Sequence, residues 1–463
     1  MAEGHRLDPA DWDGFGAAFH DLLDRCLARM QAARDHPWIP PPEGFAGTVA
    51  LDDAARPVEA LFADLAAILP HGTGNTHPRF FGWVHGAGLP QAAAAELVAA
   101  TMNVNLGGRL QAATEVERAV IDWTARVAGL PQTAFGILTT GTSQATIHAL
   151  SAARRRAFPR VRAEGIRDLP PVTVYHAEGA HNCIAKALEV MGHGAQAARP
   201  IPLDGAGRMD MAALAATVAR DRADGCHPLA VVGTAGSVNL GLYDDFEALA
   251  AFAETEALWL HADAAFGFWS LLAEAPWRDL ARGIARADSI AADFHKWIGV
   301  PYDAGICLVA EGADLKAAFA ARPDYLRAGS GLAGGDVWFT DYGIELSRGF
   351  RALKVWTAIR GCGRQALGAA ISDNCRQAAL MGQLVEASPK LRLAHPVVSN
   401  LVCFEPLGAE ADRVAAALQM SGEAVFSTTL VAGVSCLRAA LVNHRTTTGD
   451  VRAAIAAVEA ALT

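Results

Sequence analysis

The sequence predicts an α/β chain built around a mostly parallel sheet. Three observations carry this. First, short β-prone runs without polar alternation recur at 172–175 (VTVY), 229–234 (LAVVGT), 257–263 (ALWLHAD), 289–293 (SIAAD) and 305–310 (GICLVA). Strands covered on both faces have this character. Second, helical stretches separate these runs, the alternation that builds a parallel sheet. Third, 52% of the 463 residues are hydrophobic and only 19% are charged, enough apolar surface for a large core in two or three domains.

The elements follow in chain order. Trp12, Phe15, Phe19, Leu22, Leu23, Cys26, Leu27 and Met30 recur at spacings of three and four, which predicts an amphipathic helix. The prolines of 36–44 (HPWIPPPEG) end it. A second short helix is expected at 57–69. Residues 1–78 therefore form a helical segment whose apolar face packs on a second subunit or within the chain. Residues 79–350 form the α/β domain. Residues 351–463 form a smaller α+β domain, entered by a long helix from about Leu346 to Gly361.

Composition excludes several functions. Lys and Arg total 39 against 49 Asp and Glu, a net charge of -10, so no nucleic-acid partner is expected. The apolar stretch Leu89–Met102 is broken by Pro90, Gln91 and Glu96, so no membrane span is expected. The acidic N-terminus lacks the apolar core of a signal peptide. The eight cysteines are scattered without a C-x-x-C pair, which predicts reduced thiols in a cytoplasm and no structural zinc.

Three stretches could carry chemistry. The loop at 136–154 (GILTTGTSQATIHALSAAR) runs into a helix, with Gly141, Thr142 and Ser143 at the junction. It lacks the lysine of a nucleotide phosphate loop, yet backbone N–H groups at a helix start can hold a single phosphate. Taken alone it reads equally as a plain N-cap. Asp263 closes an apolar strand, where a carboxylate needs a cationic partner to stay charged. Alone, it reads equally as a helix cap. His295 and Lys296 follow another apolar strand, where desolvation can neutralise a lysine and make it nucleophilic. Alone, most lysines are surface charges. His261, Asp263 and His295 match no metal-binding spacing, so no metal is expected. Together, a phosphate cup, a strand-end Asp and a strand-end His-Lys fit pyridoxal 5'-phosphate. Its aldehyde needs a lysine, its ring nitrogen an acid, and its phosphate a helix N-terminus.

On these residues the chain resembles the pyridoxal-phosphate-dependent group II amino acid decarboxylases, the aromatic-amino-acid, histidine and glutamate decarboxylase group. The resemblance spans roughly 57–450. It includes 77–83 (HPRFFGW), 177–187 (AEGAHNCIAKA), 234–249 (TAGSVNLGLYDDFEAL), the DFHKW around Lys296, 322–326 (RPDYL), 346–356 (LSRGFRALKVW) and 437–447 (LRAALVNHRTT). It implies a fold type I enzyme with a mostly parallel seven-stranded sheet, working as a homodimer with shared active sites. Lys296 would be the Schiff-base lysine and Asp263 the partner of the ring nitrogen. Gly141, Thr142 and Ser143 would hold the phosphate, His181 would stack on the ring, and His295 would line the site. Tyr325 would return a proton to the α-carbon after CO2 leaves. Phe80, Phe81 and Trp83 would wall the substrate pocket, or equally serve in part as core aromatics, and Arg438 would sit near the substrate. Val238 stands where the family often has Thr. Asp293 stands where several members have Asn, and is expected to turn away from a phosphate or cap a backbone N–H. Arg348 and Lys354 read as structural charges. The implied reaction is decarboxylation of an L-amino acid to the amine and CO2, with an aromatic or other hydrophobic side chain ahead of acidic or diamino acids. An aldehyde synthase or a carbon–carbon lyase of the same fold is the alternative. Residues 105–117 depart from the aromatic decarboxylases.

Overall fold

The computed structural model describes residues 7–51, 53–321 and 329–462. Seven strands form the main sheet: β1 (Phe135–Thr139), β2 (Val172–Ala177), β3 (Ala198–Ile201), β4 (His227–Thr234), β5 (Trp259–Asp263), β6 (Ser289–Asp293) and β7 (Gly305–Val309). Their order is β1-β7-β6-β5-β4-β2-β3. From β6 to β3 all neighbours run parallel, while β7 is antiparallel to both β6 and β1. Strands β5, β6 and β7 are buried along their whole length, as their unbroken apolar runs require. Two strands carry a weaker signal. β1 lies inside the Gly/Thr/Ser stretch, and β3 is four residues long with a proline.

A second, antiparallel sheet has the order β10-β11-β9-β8, made of β8 (Leu391–Leu393), β9 (Leu401–Pro406), β10 (Ser427–Val431) and β11 (Val434–Ala440). It has its own core, including Phe81, Phe404, Phe426 and Val451. Phe81 reaches this core because its segment is stitched to it. The amide of Phe81 donates to Val425 O at 2.7 Å, and the amide of Ala440 donates to Phe81 O at 2.8 Å.

The entry to the last part of the chain differs from expectation. The helix begins at Arg351 rather than Leu346, and helical structure continues to Ala387 through a non-helical Gly363 at φ 74°. The preceding residues are kept out of the helix by Arg348. Its guanidinium makes a two-pronged pair with Glu117, at 2.6 and 3.1 Å, and donates to the carbonyls of Leu106 and Leu138. Both side chains are buried. Removing one partner strands the other charge, so Arg348→Met is expected to lower unfolding stability by about 3–5 kcal/mol. Pairing it with Glu117→Leu should restore much of the loss in denaturant titrations, and a double variant no better than the single would reject this account. Lys354 is also structural, paired with Glu96 at 2.6 Å.

Two core histidines make the fold acid-sensitive. His148 and His261 are fully buried, and burial lowers both pKa values from 6.5 to about 4. The unfolded chain therefore takes up protons first as pH falls. Stability should be constant above about pH 6.5, fall between pH 6.5 and 4, and lose up to about 3 kcal/mol per imidazole. Melting temperatures that stay flat from pH 7 to 4.5 would contradict this.

The N-terminal helices Trp12–Gln31 and Val58–Ile68 bury none of their residues. They pack on each other through Phe15, Phe19 and Phe62, and leave Trp12, Leu27, Leu61, Leu65 and Ile68 exposed. Among the described residues, no helix is long and apolar enough to cross a membrane.

Candidate active site

The carboxyl ends of β4, β5 and β6 converge on a cavity of ≈ 300 Å³. Its lining includes His181, Thr234, Asp263, Phe266, His295 and Lys296. Trp83, His85, Tyr302 and Arg438 also face it. The parallel register explains the convergence, because Thr234 lies opposite Asp263 and Asp263 opposite Ala291, two residues before the end of β6.

Lys296 sits in a single π-helical turn, Phe294–Ile298, directly after β6. Glycine at 86 allows another segment to lie against this turn. A Cβ there would meet His295 O at 2.1 Å and Lys296 O at 2.5 Å. The lysine keeps 25% of its side-chain surface open, and its Nζ is 2.9 Å from Asp293 Oδ2. Burial alone would lower its pKa, but Asp293, with Asp263 behind it, more than reverses this and holds the pKa above the usual lysine value. The neutralisation that desolvation at a strand end would bring is therefore opposed here by a carboxylate three residues earlier in the chain. Asp293 does cap a backbone N–H: its Oδ1 accepts the Thr142 amide at 2.7 Å.

Asp263 is buried at the end of β5. Burial raises its carboxyl pKa, while Lys296 and His181 pull it down. Its Oδ2 accepts from the Cys183 thiol at 3.6 Å. His181 is open to the cavity. Partial desolvation lowers its pKa and Asp263 opposes that. The Cys183 amide donates to His181 Nδ1 at 3.1 Å, leaving Nε2 to carry the proton of the neutral ring. His295 is buried and accepts the Ala304 amide at its Nδ1. Its ring lies 4.3 Å from that of Tyr302.

The helix Thr142–Ala157 starts beside this cluster, with Gly141 at its N-cap. The Thr142 hydroxyl oxygen is buried and has no hydrogen-bond partner among the described residues. The Gly141 side faces His295 and Asp293, as a Cβ there would lie 3.5 and 3.6 Å from them. Ser143 is exposed. An unpartnered buried hydroxyl at a helix N-terminus, a strand-end carboxylate and a lysine around one cavity fit pyridoxal phosphate.

Of the expected pocket walls, Trp83 lines the cavity and Phe80 does not. Phe80 is 3% exposed, bridged to Val425 and stacked 5.9 Å behind His85. Val238 lines the cavity. Arg438 is buried, donates to Trp83 O at 3.0 Å and to the Ser427 hydroxyl, and its Nε has no partner among the described residues. Tyr325 lies outside the described residues. His85 and Tyr302 escape the sequence reading: nothing in their immediate neighbourhood marks them, although VPY follows the lysine turn by only a few residues.

This architecture and this site define a fold type I pyridoxal-phosphate enzyme. The chain belongs to the pyridoxal-dependent decarboxylases, whose conserved domain it matches over residues 46–406. It is an amino acid carboxy-lyase of that family. It is 29% identical to an aromatic-L-amino-acid decarboxylase of Bacillus atrophaeus over 386 residues, 81% of this chain and 79% of that one. It is 30% identical to an L-2,4-diaminobutyrate decarboxylase of Rhizobium meliloti (strain 1021) over 421 residues, 87% of this chain and 83% of the other. The crystal structure of Oryza sativa TDC with PLP and tryptamine superposes with a TM-score of 0.89 at 25% identity, covering 99% of each chain.

Proposed function

We propose that this decarboxylase converts an L-amino acid with an aromatic or other hydrophobic side chain to its amine and CO2. The observation that carries this reading is the single cavity joining Lys296, Asp263 and His181 to a wall of Trp83 and Phe266. When bound, pyridoxal phosphate supplies the electron sink. The residues supply the rest. Lys296 anchors the cofactor through its amine. Asp263 would pair with the ring nitrogen and keep it protonated, and His181 would lie against the ring. The start of the helix Thr142–Ala157, with Gly141, Thr142 and Ser143, takes the phosphate, and His295 lines the site. Trp83 and Phe266 exclude water from the substrate side chain.

An acidic side chain is the second reading, favoured by Arg438, a buried cation with no carboxylate partner among the described residues. The same cation opposes the ammonium of a diamino acid.

Tyr325 is the proposed donor of the proton to the α-carbon. Tyr325→Phe should cut amine formation about 10²–10⁴-fold, with aldehyde appearing in its place. A normal amine yield removes Tyr325 from the mechanism.

We further propose a cytoplasmic homodimer with shared sites, divided as 1–78, 79–350 and 351–463. The exposed apolar residues of the N-terminal helices and the eight free cysteines support it. The test is a screen of the common amino acids for CO2 release with product analysis. CO2 with amine from tryptophan, tyrosine or phenylalanine supports the reading, and glutamate or aspartate as sole substrates supports the second. Ammonia, peroxide and aldehyde as the main products of the intact enzyme would overturn both.

A further inference from the structure

Asp293 stands between the two groups the cofactor must reach. It ends β6, and the turn Phe294–Ile298 brings Lys296 back beside it. Oδ1 accepts the Thr142 amide at 2.7 Å, and Oδ2 lies 2.9 Å from Lys296 Nζ and 3.7 Å from His295 Nε2. The side chain is 3% exposed. Its place is fixed by close packing on two sides. A Cβ on Gly305 would come within 2.7 Å of Oδ1 and 2.6 Å of Gly141 Cα, so β7 and the loop close over the carboxylate.

The Thr142 amide is the first of the free N–H groups at the start of its helix, where an anion is stabilised. Here that anion is Asp293. A phosphate arriving at the same helix start meets a carboxylate already hydrogen-bonded there. A lysine must also lose its proton before it can attack an aldehyde, and Asp293 favours the protonated form. His181, Asp263 and Tyr302 are the other titratable groups that interact with Asp293 across the cavity.

We infer that Asp293 is a resident anion of the cofactor site: its carboxylate occupies the first amide of the phosphate cup and the charge of Lys296, and so sets a lower affinity for the cofactor than a neutral side chain would. Asp293 is a positioning residue in this role, and the inference rests on reading the 141–143 loop as the phosphate cup and Lys296 as the anchor. It predicts a specific coupling between the charge at 293 and the charge on the ligand.

The experiment uses the full-length, cofactor-free enzyme and two probes, pyridoxal phosphate and pyridoxal, which differ only in the phosphate. Binding is followed by quenching of tryptophan fluorescence. Asp293→Asn keeps an oxygen for the Thr142 amide and removes the charge. It should bind pyridoxal phosphate about tenfold more tightly than the parent, and the ratio of the pyridoxal Kd to the pyridoxal phosphate Kd should rise by about the same factor. Asp293→Glu, which keeps the charge, should leave that ratio near the parent value. Asp293→Ser serves as the neutral variant if the amide does not fold. An unchanged ratio in the neutral variants, or weaker binding of pyridoxal phosphate, overturns the inference. Borohydride trapping and mass spectrometry separate this from failure of the underlying reading. Label on Lys296 with an unchanged ratio rejects the resident anion alone, whereas label on another residue rejects the anchor.

Discussion

Replacing Lys296 with alanine is expected to lower decarboxylation by on the order of 10³-fold or more. Without its amine the cofactor has no covalent anchor, and the proton carried by Nζ is lost from the cavity. Steady-state CO2 release measures this, and unchanged turnover in Lys296→Ala would remove the whole mechanism. The same substitution has a structural effect that activity does not report. Asp293 loses the cation at 2.9 Å while its own side chain stays buried. The cofactor-free variant should be less stable by about 1–3 kcal/mol, below the range for a fully buried pair because Lys296 keeps a quarter of its surface open. Adding Asp293→Asn should recover that stability but none of the activity.

Asp263→Asn is expected to lower kcat by about 10²–10³-fold with a small change in KM, since an amide cannot balance a protonated ring nitrogen as charge develops. The cofactor-free protein should respond in the opposite sense. Burial raises the Asp263 pKa above its unfolded value. The ionised carboxylate therefore opposes folding above the unfolded carboxyl pKa, and a neutral amide relieves that at neutral pH. The variant should melt higher than the parent when both lack cofactor. A lower melting temperature would mean that Lys296 and His181 outweigh desolvation at this site. An acid held against its desolvation at the point of chemistry is a common compromise between stability and function.

Much of this site was legible locally. Asp263 and Lys296 each follow an apolar run, so a strand-end position could be read from neighbours a few residues away. Thr142 stands at the junction of a Gly/Thr loop and a helix, and the order of the three stretches pointed to one cofactor. The helix at Trp12–Gln31 was legible from spacing. The start of the helix at Arg351 was not, because Arg348 is committed to Glu117, 231 residues earlier in the chain. Phe80 and Trp83 are three residues apart and chemically alike. Only the bridge to Val425 decides that Phe80 is buried while Trp83 reaches the cavity.

The sequence by itself determined the fold class, the cofactor and the order of the residues that face it, because strand burial and loop-to-helix junctions are encoded within short windows. The tertiary structure alone decided the ion pair of Lys296 with Asp293, the choice of Thr142 as the N–H that Asp293 caps, and the entry of His85 and Tyr302 into the cavity. Desolvation and Coulomb forces depend on distances between groups far apart in the chain, and those distances exist only once the sheet has set its register.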